Sequence, residues 1–439
     1  MAESRAAMRA AGRRLLRRGA HGVRRTMARR RGLIAYMAVL GPGMIAANAG
    51  NDAGGIATYA TVGAEHGYGL LWVLIPITIS LGIVQEMCAR MGAVTGKGLA
   101  DLVRERFGVR WTALVMLALL VANGGVTVSE FVGIAAATEL FGVPRYVSVP
   151  LAAMSVWWLV VKGSYKRVER VFLVMSLVFL GYIVSAFLAR PVWGEIARAM
   201  VRPTWSFAPA YIFTFVAVVG TTISPYMQVY VQSSVVEKGV TAEDYALTRA
   251  DVWTGTAFAI SIVFFIIIST AATLHGHGVR IESAADAARA LEPLAGRYAG
   301  LLFAIGLFGA SMLAAGVLPL ATAYSISEAL GFEKGVSRSF REAPIFIGIF
   351  TFLVTVGALV AVIPGLPLIR VLLVTQVMNG LLLPVLLFAI LRLVNDRELM
   401  GTYVNGTIYN VAAWLTAIVV SLLSLLLIAT TIFPNLIHQ

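Results

Sequence analysis

Charge is scarce in this chain. Only 13% of its 439 residues are Asp, Glu, Lys or Arg, against about 25% in an ordinary soluble domain. Hydrophobic residues make up 59% and the mean hydropathy is +0.84. A soluble core cannot enclose that much apolar surface, so a soluble enzyme, a disordered chain and a fibrous protein are poor readings. Cysteine is scarcer still. The single Cys88 excludes an intrachain disulfide framework and a multi-cysteine metal site, and its apolar surroundings in sequence read as packing. No nucleophile and base cluster along the chain and no nucleic-acid module stands out. The expectation is therefore of no enzyme, no bound cofactor and no nucleic-acid partner.

What charge there is sits at one end. The formal net charge is +13, but the first 31 residues hold eleven Arg and one Glu, leaving +3 for the other 408. Residues 1–31 read as a basic cytoplasmic tail lying near anionic lipid. They do not read as a cleavable leader, because the basic stretch is long and the apolar segment after it carries polar interruptions.

A helix that crosses a bilayer takes about 20 mostly apolar residues. Stretches free of Asp, Glu, Lys and Arg run over 32–51, 66–85, 111–129, 146–161, 171–189, 203–236, 252–279, 298–327, 343–369, 371–391 and 399–439. These are eleven candidate spans, the first continuing past Asp52 to about residue 64. The links after spans 2 and 4 are rich in Lys and Arg, and the alternate links are not. That pattern places the N-terminus inside and the C-terminus outside a plasma membrane. Three Arg in the link 190–202 run against it. The longest outer loop, 276–297, mixes acids with Arg and is expected to hold a short surface helix.

Two spans are interrupted. The first contains Gly41-Pro42-Gly43 and then Asn48-Ala49-Gly50-Asn51-Asp52-Ala53-Gly54-Gly55. An acid at membrane depth faces a cavity or a partner. Glycines such as Gly54 let the chain leave helical geometry, and unwound backbone is tolerated there only where it lines protein or a watery cavity. The reading is a break whose carbonyls and Asp52 face a cation. The alternative is a kinked helix capped by Asp52. The sixth span holds Gly220-Thr221-Thr222-Ile223-Ser224-Pro225-Tyr226-Met227-Gln228, where Pro225 removes a backbone donor amid hydroxyl and amide oxygens. A simple proline kink is the alternative here. Breaks in the first and sixth spans occupy matching positions of two halves, which points to a transporter site at the bilayer midplane. The expected fold is an all-α polytopic inverted-repeat transporter with discontinuous helices 1 and 6. Its halves are 32–190 and 191–393, and 394–439 adds one helix.

At these residues the chain resembles the natural resistance-associated macrophage protein family of divalent metal transporters. The likeness covers roughly residues 35–435. It is carried by Gly41-Pro42-Gly43, Asp52-Ala53-Gly54-Gly55, Gly67-Tyr68-Gly69-Leu70-Leu71-Trp72-Val73, Gly92-Ala93-Val94-Thr95-Gly96-Lys97-Gly98-Leu99 and Ser129-Glu130-Phe131. Departures accompany it. The family's helix 1 Asn ligand falls on Gly55, its helix 6 Ala-x-x-Met-Pro-His falls on Thr221, Ser224, Pro225 and Tyr226, and an acid of helix 3 falls on Thr127.

The resemblance implies a metal site of Asp52, Gly55, Asn51, Thr221, Ser224, Gln228 and Gln376, with Glu130, Tyr226 and Asn379 in coupling or gating. Thioether ligands favour softer metals and oxygen ligands suit Mg²⁺, an ion that commonly keeps several waters. Loss of the thioether therefore leads to an expectation of the family's magnesium-transporting branch, with partly hydrated Mg²⁺, and Mn²⁺ beside it, taken up by alternating access. No histidine lies in the core of span 6, so this uptake is expected to run without protons. His66, His275 and His277 read as surface residues. Rival readings are a proton-coupled Mn²⁺/Fe²⁺ symporter, a sodium-coupled organic solute permease and a cation channel. The expected partners are a divalent metal ion and the lipid bilayer, with a monomer as the working unit.

Overall fold

The computed structural model describes residues 42–162, 180–188, 190–289, 296, 299–336 and 339–432. The basic tail, 1–31, lies outside the described residues. From Gly41 onward the chain forms a single compact unit.

The described elements are helical throughout. In chain order they are α1 (Pro42–Ala49), α2 (Ala53–His66), α3 (Leu74–Thr95), α4 (Leu99–Phe107), α5 (Val109–Glu139), α6 (Arg145–Lys162), α7 (Leu180–Leu188), α8 (Trp193–Val201), α9 (Pro209–Thr222) and α10 (Pro225–Glu237). The chain continues through α11 (Tyr245–Thr273), α12 (Ala284–Arg289), α13 (Ala299–Leu330), α14 (Pro344–Ala361), α15 (Leu368–Val394), α16 (Arg397–Met400) and α17 (Thr407–Ile432). Among the described residues, eight helical segments are long and apolar enough to cross a membrane. Each of the eleven sequence-derived stretches carries helix, the fifth being described only at α7. The fold is all-α and polytopic, as expected.

Some boundaries move. The charge-free stretch of span 3 stops at 129 before Glu130, yet α5 runs on to Glu139. An acid need not end a helix when it finds donors, and Glu130 does. The link after span 2 continues α3 to Thr95 and then holds helix α4, which buries Leu99, Leu102 and Val103 and exposes its Arg side. The expected surface helix in 276–297 is α12. Ser283 and Asp286 exchange backbone-to-side-chain hydrogen bonds at its start, 3.0 and 3.2 Å, a reciprocal cap.

Both interruptions have local causes. At the first, Asp52 is extended (φ −70°, ψ 179°) and its carboxylate accepts the Gly55 N–H, so α2 restarts under its own N-cap. At the second, Ile223 leaves helical geometry (φ −112°, ψ 51°). Ser224 is extended (ψ 140°), as a residue before proline prefers. Pro225 then opens α10 at a position where its missing N–H costs nothing.

Packing brings the interrupted helices together at the centre. α13 lies along α5, α11 along both α1 and α2, α9 along α15, and α10 along α3 and α1. Apolar surface drives none of this inside a lipid phase, so close approach and hydrogen bonds must. Gly220 illustrates the first: a Cβ there would lie 2.2 Å from the Gln376 carbonyl and 2.5 Å from the Gly380 nitrogen. The Asn123 amide, which donates to Thr322 Oγ1 at 2.8 Å between α5 and α13, illustrates the second. The outward faces carry bulky apolar side chains, among them Trp111, Leu114 and Leu117 on α5 and Leu415, Leu422 and Leu425 on α17, which suit acyl chains. Cys88 is fully buried in the apolar core.

Candidate functional site

The two breaks meet. Asp52 follows the end of α1 and caps α2, while Ser224 separates α9 from α10. Tyr226 crosses from the second break to the first: its hydroxyl donates to the Ala49 carbonyl at 2.8 Å and reaches Asp52 Oδ2 at 3.4 Å. The C-terminal ends of α1 and α9 contribute carbonyls and the negative ends of their dipoles to this junction. Such ends favour a cation.

Gln376, in the middle of α15, completes the junction from the other side. Its amide donates to Asp52 Oδ1 and Oδ2 at 3.3 and 3.4 Å. Asn379, one turn on, donates to Gln376 Oε1 at 3.2 Å and lies 3.5 Å from Ser224 Oγ. Gly54 makes room for this contact, because a Cβ there would fall 2.0 Å from Gln376 Nε2. Gly55 likewise faces the Gly50 carbonyl and Thr221 Oγ1, at 2.5 and 3.0 Å from a hypothetical Cβ. The Thr221 hydroxyl oxygen and Asn379 Oδ1 have no hydrogen-bond partner.

Glu130 approaches from α5. Its Oε2 accepts the Ala53 N–H at 3.1 Å and its Oε1 lies 3.3 Å from Ser129 Oγ. A second buried carboxylate is thus attached to the first turn of α2, next to Asp52. Asp52, Glu130, Thr221, Ser224, Tyr226, Gln376 and Asn379 are all without solvent exposure, so the junction is closed on both sides.

One of the expected residues turns to another helix and one lies a turn away. The Asn51 amide donates to the Ala259 carbonyl of α11 at 3.2 Å. Gln228 lies one turn down α10, its amide 3.5 Å from the Ser224 carbonyl. The reading of Asp52 as a helix cap describes the molecule in part: one oxygen caps α2, and both also accept from the Gln376 amide. Sequence reading passed over Asp251 altogether. It borders the charge-free run of span 7, yet it is buried and its Oδ2 accepts the Gly43 N–H at 2.7 Å. The available signal was an acid beside an otherwise charge-free run, the same signal that singled out Asp52.

Among the described residues no three His, Cys, Asp or Glu side chains gather in one place. Any metal at the junction would be held by a carboxylate with carbonyl, hydroxyl and amide oxygens. An all-α polytopic fold with two interrupted helices meeting at a buried acid defines a membrane transporter built on discontinuous helices. The profile of the natural resistance-associated macrophage protein-like family matches residues 43–430, and the chain belongs to that family.

The chain is 30% identical over 421 residues to a divalent metal cation transporter MntH of Ralstonia nicotianae, covering 88% of this chain and 90% of that one. It is 30% identical over 400 residues to divalent metal cation transporter MntH 1 of Pseudomonas aeruginosa, covering 85% and 87%. A crystal structure of the Eremococcus coleocola manganese transporter, in complex with an aromatic bis-isothiourea compound, superposes with a TM-score of 0.73 at 19% identity, covering 91% of this chain and 89% of that one. At that identity the likeness speaks for the fold alone.

These relatives overturn two expectations: membership of the magnesium-transporting branch, and Mg²⁺ uptake without protons. The physical reason is that the donor set does not discriminate as the sequence reading assumed. Carboxylate, carbonyl and water ligands suit Mn²⁺ as well as Mg²⁺, so Ser224 and Tyr226 in place of a thioether and an imidazole are no signature of the lighter ion.

Proposed function

We propose that the protein carries Mn²⁺, with Fe²⁺ as a related substrate, across a bacterial-type inner membrane by alternating access, a proton accompanying the metal. The observation that supports this most is the junction itself. The buried Asp52 carboxylate lies between two broken helices, with partnerless oxygens on Thr221 and Asn379 beside it. The names of the curated relatives, divalent metal cation transporter, and of the manganese transporter with the same fold point the same way.

In this reading Asp52 supplies the fixed negative charge. The Thr221 hydroxyl, Asn379, Gln376 and the carbonyls around Gly50 supply oxygens to the metal or to its waters. Gln376 and Tyr226, whose donors reach the Asp52 carboxylate, rotate to offer oxygen instead. Glu130 is the proton carrier, since it is a second buried acid joined to α2 through the Ala53 N–H. Moving α1 and α10 against the rest opens the site to one side at a time. The repeat halves 32–190 and 191–393 each contribute one of these two moving helices, with 394–439 outside them. The N-terminus faces the cytoplasm and the C-terminus the outside, as the Lys and Arg distribution suggests.

The test is metal flux into proteoliposomes with internal pH recorded at the same time. Saturable Mn²⁺ entry with metal-dependent acidification is the expected result. Absence of Mn²⁺ entry, or entry that never saturates, rejects the reading.

A further inference from the structure

α10 leaves the junction with a polar stripe. Ser224, Gln228 and Gln232 are four residues apart and therefore stack on one face of the helix. All three are completely buried. The amide of Gln232 donates to the Lys97 carbonyl at 3.0 Å, but Gln232 Oε1 and Gln228 Oε1 have no partner. A buried acceptor left without a donor is costly, and native structures rarely keep one without a reason.

The stripe ends near a buried acid. Glu328, near the end of α13, is 1% exposed. Its Oε1 accepts Ser233 Oγ at 2.7 Å and Lys334 Nζ at 3.1 Å, while Oε2 has no partner. A Cβ on Gly98 would lie 2.0 Å from either carboxylate oxygen. Gln232 and Glu328 therefore close on the same Lys97–Gly98 peptide, one through its carbonyl and the other through its α-carbon. An amide oxygen and a carboxylate oxygen, both buried and both lacking a donor, thus flank one peptide, and both are hard donors of the kind that suits Mn²⁺.

We propose that Gln232 and Glu328 form a second, weaker divalent-cation site. The transported metal occupies it after leaving Asp52 along the Ser224–Gln228–Gln232 face. This rests on the transport reading above. The neighbouring Lys334 ammonium explains why the site is weak: it balances the Glu328 carboxylate in the empty state and repels an arriving cation. Weak binding is what a release step requires, since a site on a conduction path must let its ion go. Under the proposed orientation this end of α10 is cytoplasmic, so the site lies on the exit side.

The test uses the purified full-length chain titrated with Mn²⁺ and read by calorimetry and by the paramagnetic resonance of free Mn²⁺. Wild type is expected to show two classes of site. Glu328→Gln, which keeps the shape and a Ser233 contact, and Gln232→Met, which removes only the amide, should each abolish the weaker class and leave the tighter one. Asp52→Asn should abolish the tighter class. In proteoliposomes Glu328→Gln should slow the maximal rate by roughly tenfold with KM nearly unchanged, as expected when a step after substrate capture is impaired. If both variants keep both classes, or if wild type has only the Asp52-dependent class, the second site does not exist and the stripe serves water alone. If wild type binds no Mn²⁺ at all, the transport reading fails with it, a result distinct from either of those.

Discussion

Gln376 donates one amide group to both carboxylate oxygens of Asp52, at 3.3 and 3.4 Å, across 324 residues of sequence. The unbroken helix α15 thereby holds the acid of the broken helix α1–α2 in place. An unliganded carboxylate buried in a membrane protein would otherwise be a severe cost, and the amide meets part of it. Asp52→Asn separates charge from shape. Asparagine is as good an N-cap as aspartate, so α2 should start where it does now and the protein should melt normally. Loss of the charged ligand should nevertheless weaken Mn²⁺ affinity by about 100-fold or more, because even outer-shell partners of a metal site cost 10–100-fold. Flux and binding measured on the same preparation check this. Near-normal flux would remove Asp52 from the site.

Gly54 controls that amide. Its missing Cβ leaves the space Gln376 Nε2 occupies, 2.0 Å from where the Cβ would be. The obstructing atom is the end of a flexible side chain, so Gly54→Ala should be absorbed by swinging Gln376 away and should leave the fold intact. The expected effect is a loss of Mn²⁺ affinity of about 10-fold, comparable with that of Gln376→Ala, since both remove a group that orients the carboxylate. The double variant should be little worse than either alone, a non-additivity that two residues acting through one contact must show. Additive losses would mean that Gly54 acts through something other than Gln376.

How much of this was legible in the sequence depended on which force wrote each feature. The spans were legible because lipid tolerates so little charge, and the second break because Pro225 removes a backbone donor; Gly54, expected to break the first helix, lies inside α2, where its missing side chain makes room for Gln376 instead. Asp52 stood out for the same reason as the spans. The partners of Asp52 were harder: Gln376 was visible only through the family likeness, because a glutamine in an apolar helix has many ordinary uses. The direction of Asn51 was not legible, because side-chain direction at a turn follows local geometry, and Asn51 faces α11. The choice of metal was misjudged because ligand softness was read from what was missing, while the oxygens that remain serve more than one ion.

Glu130 links the proton question to the helix break through a single hydrogen bond, Ala53 N–H to Oε2 at 3.1 Å. Glu130→Gln keeps an oxygen for that N–H and removes the titrating group. Mn²⁺ entry is expected to persist, while metal-dependent acidification of the vesicle lumen disappears. Acidification that survives at the wild-type ratio of protons to metal would place the proton on another group.

Asp251 fastens the start of the first half-helix to α11. Its Oδ2 accepts the Gly43 N–H at 2.7 Å, one of the donors that the first turn of a helix leaves without an intrahelical partner. Asp251→Ala should cost about 1–2 kcal/mol, in the range for losing a capping acceptor. Asp251→Asn, which keeps an oxygen at the same reach, should recover most of it. Thermal melts of the two variants check the order. Equal destabilisation by both would make the charge, and not the cap, the important property.

Lys334 gives a dependence on pH whose sign follows from its surroundings. Its ammonium lies 2.7 Å from Asp101 Oδ2 and 3.1 Å from Glu328 Oε1, outside the membrane-spanning segments. Burial by itself would lower the pKa of this lysine, but the Glu328 and Asp101 carboxylates outweigh it and the net shift is upward from the ordinary 10.5. A folded pKa above the unfolded one means that folding favours the bound proton. The stabilisation is therefore complete below the ordinary lysine value and fades as pH climbs through the raised one. Comparing wild type with Lys334→Met, the difference in melting temperature should be flat from pH 7 to about pH 10 and should shrink above that. A difference that widened with rising pH would mean that the neutral amine, and not the ammonium, is the form the folded protein holds.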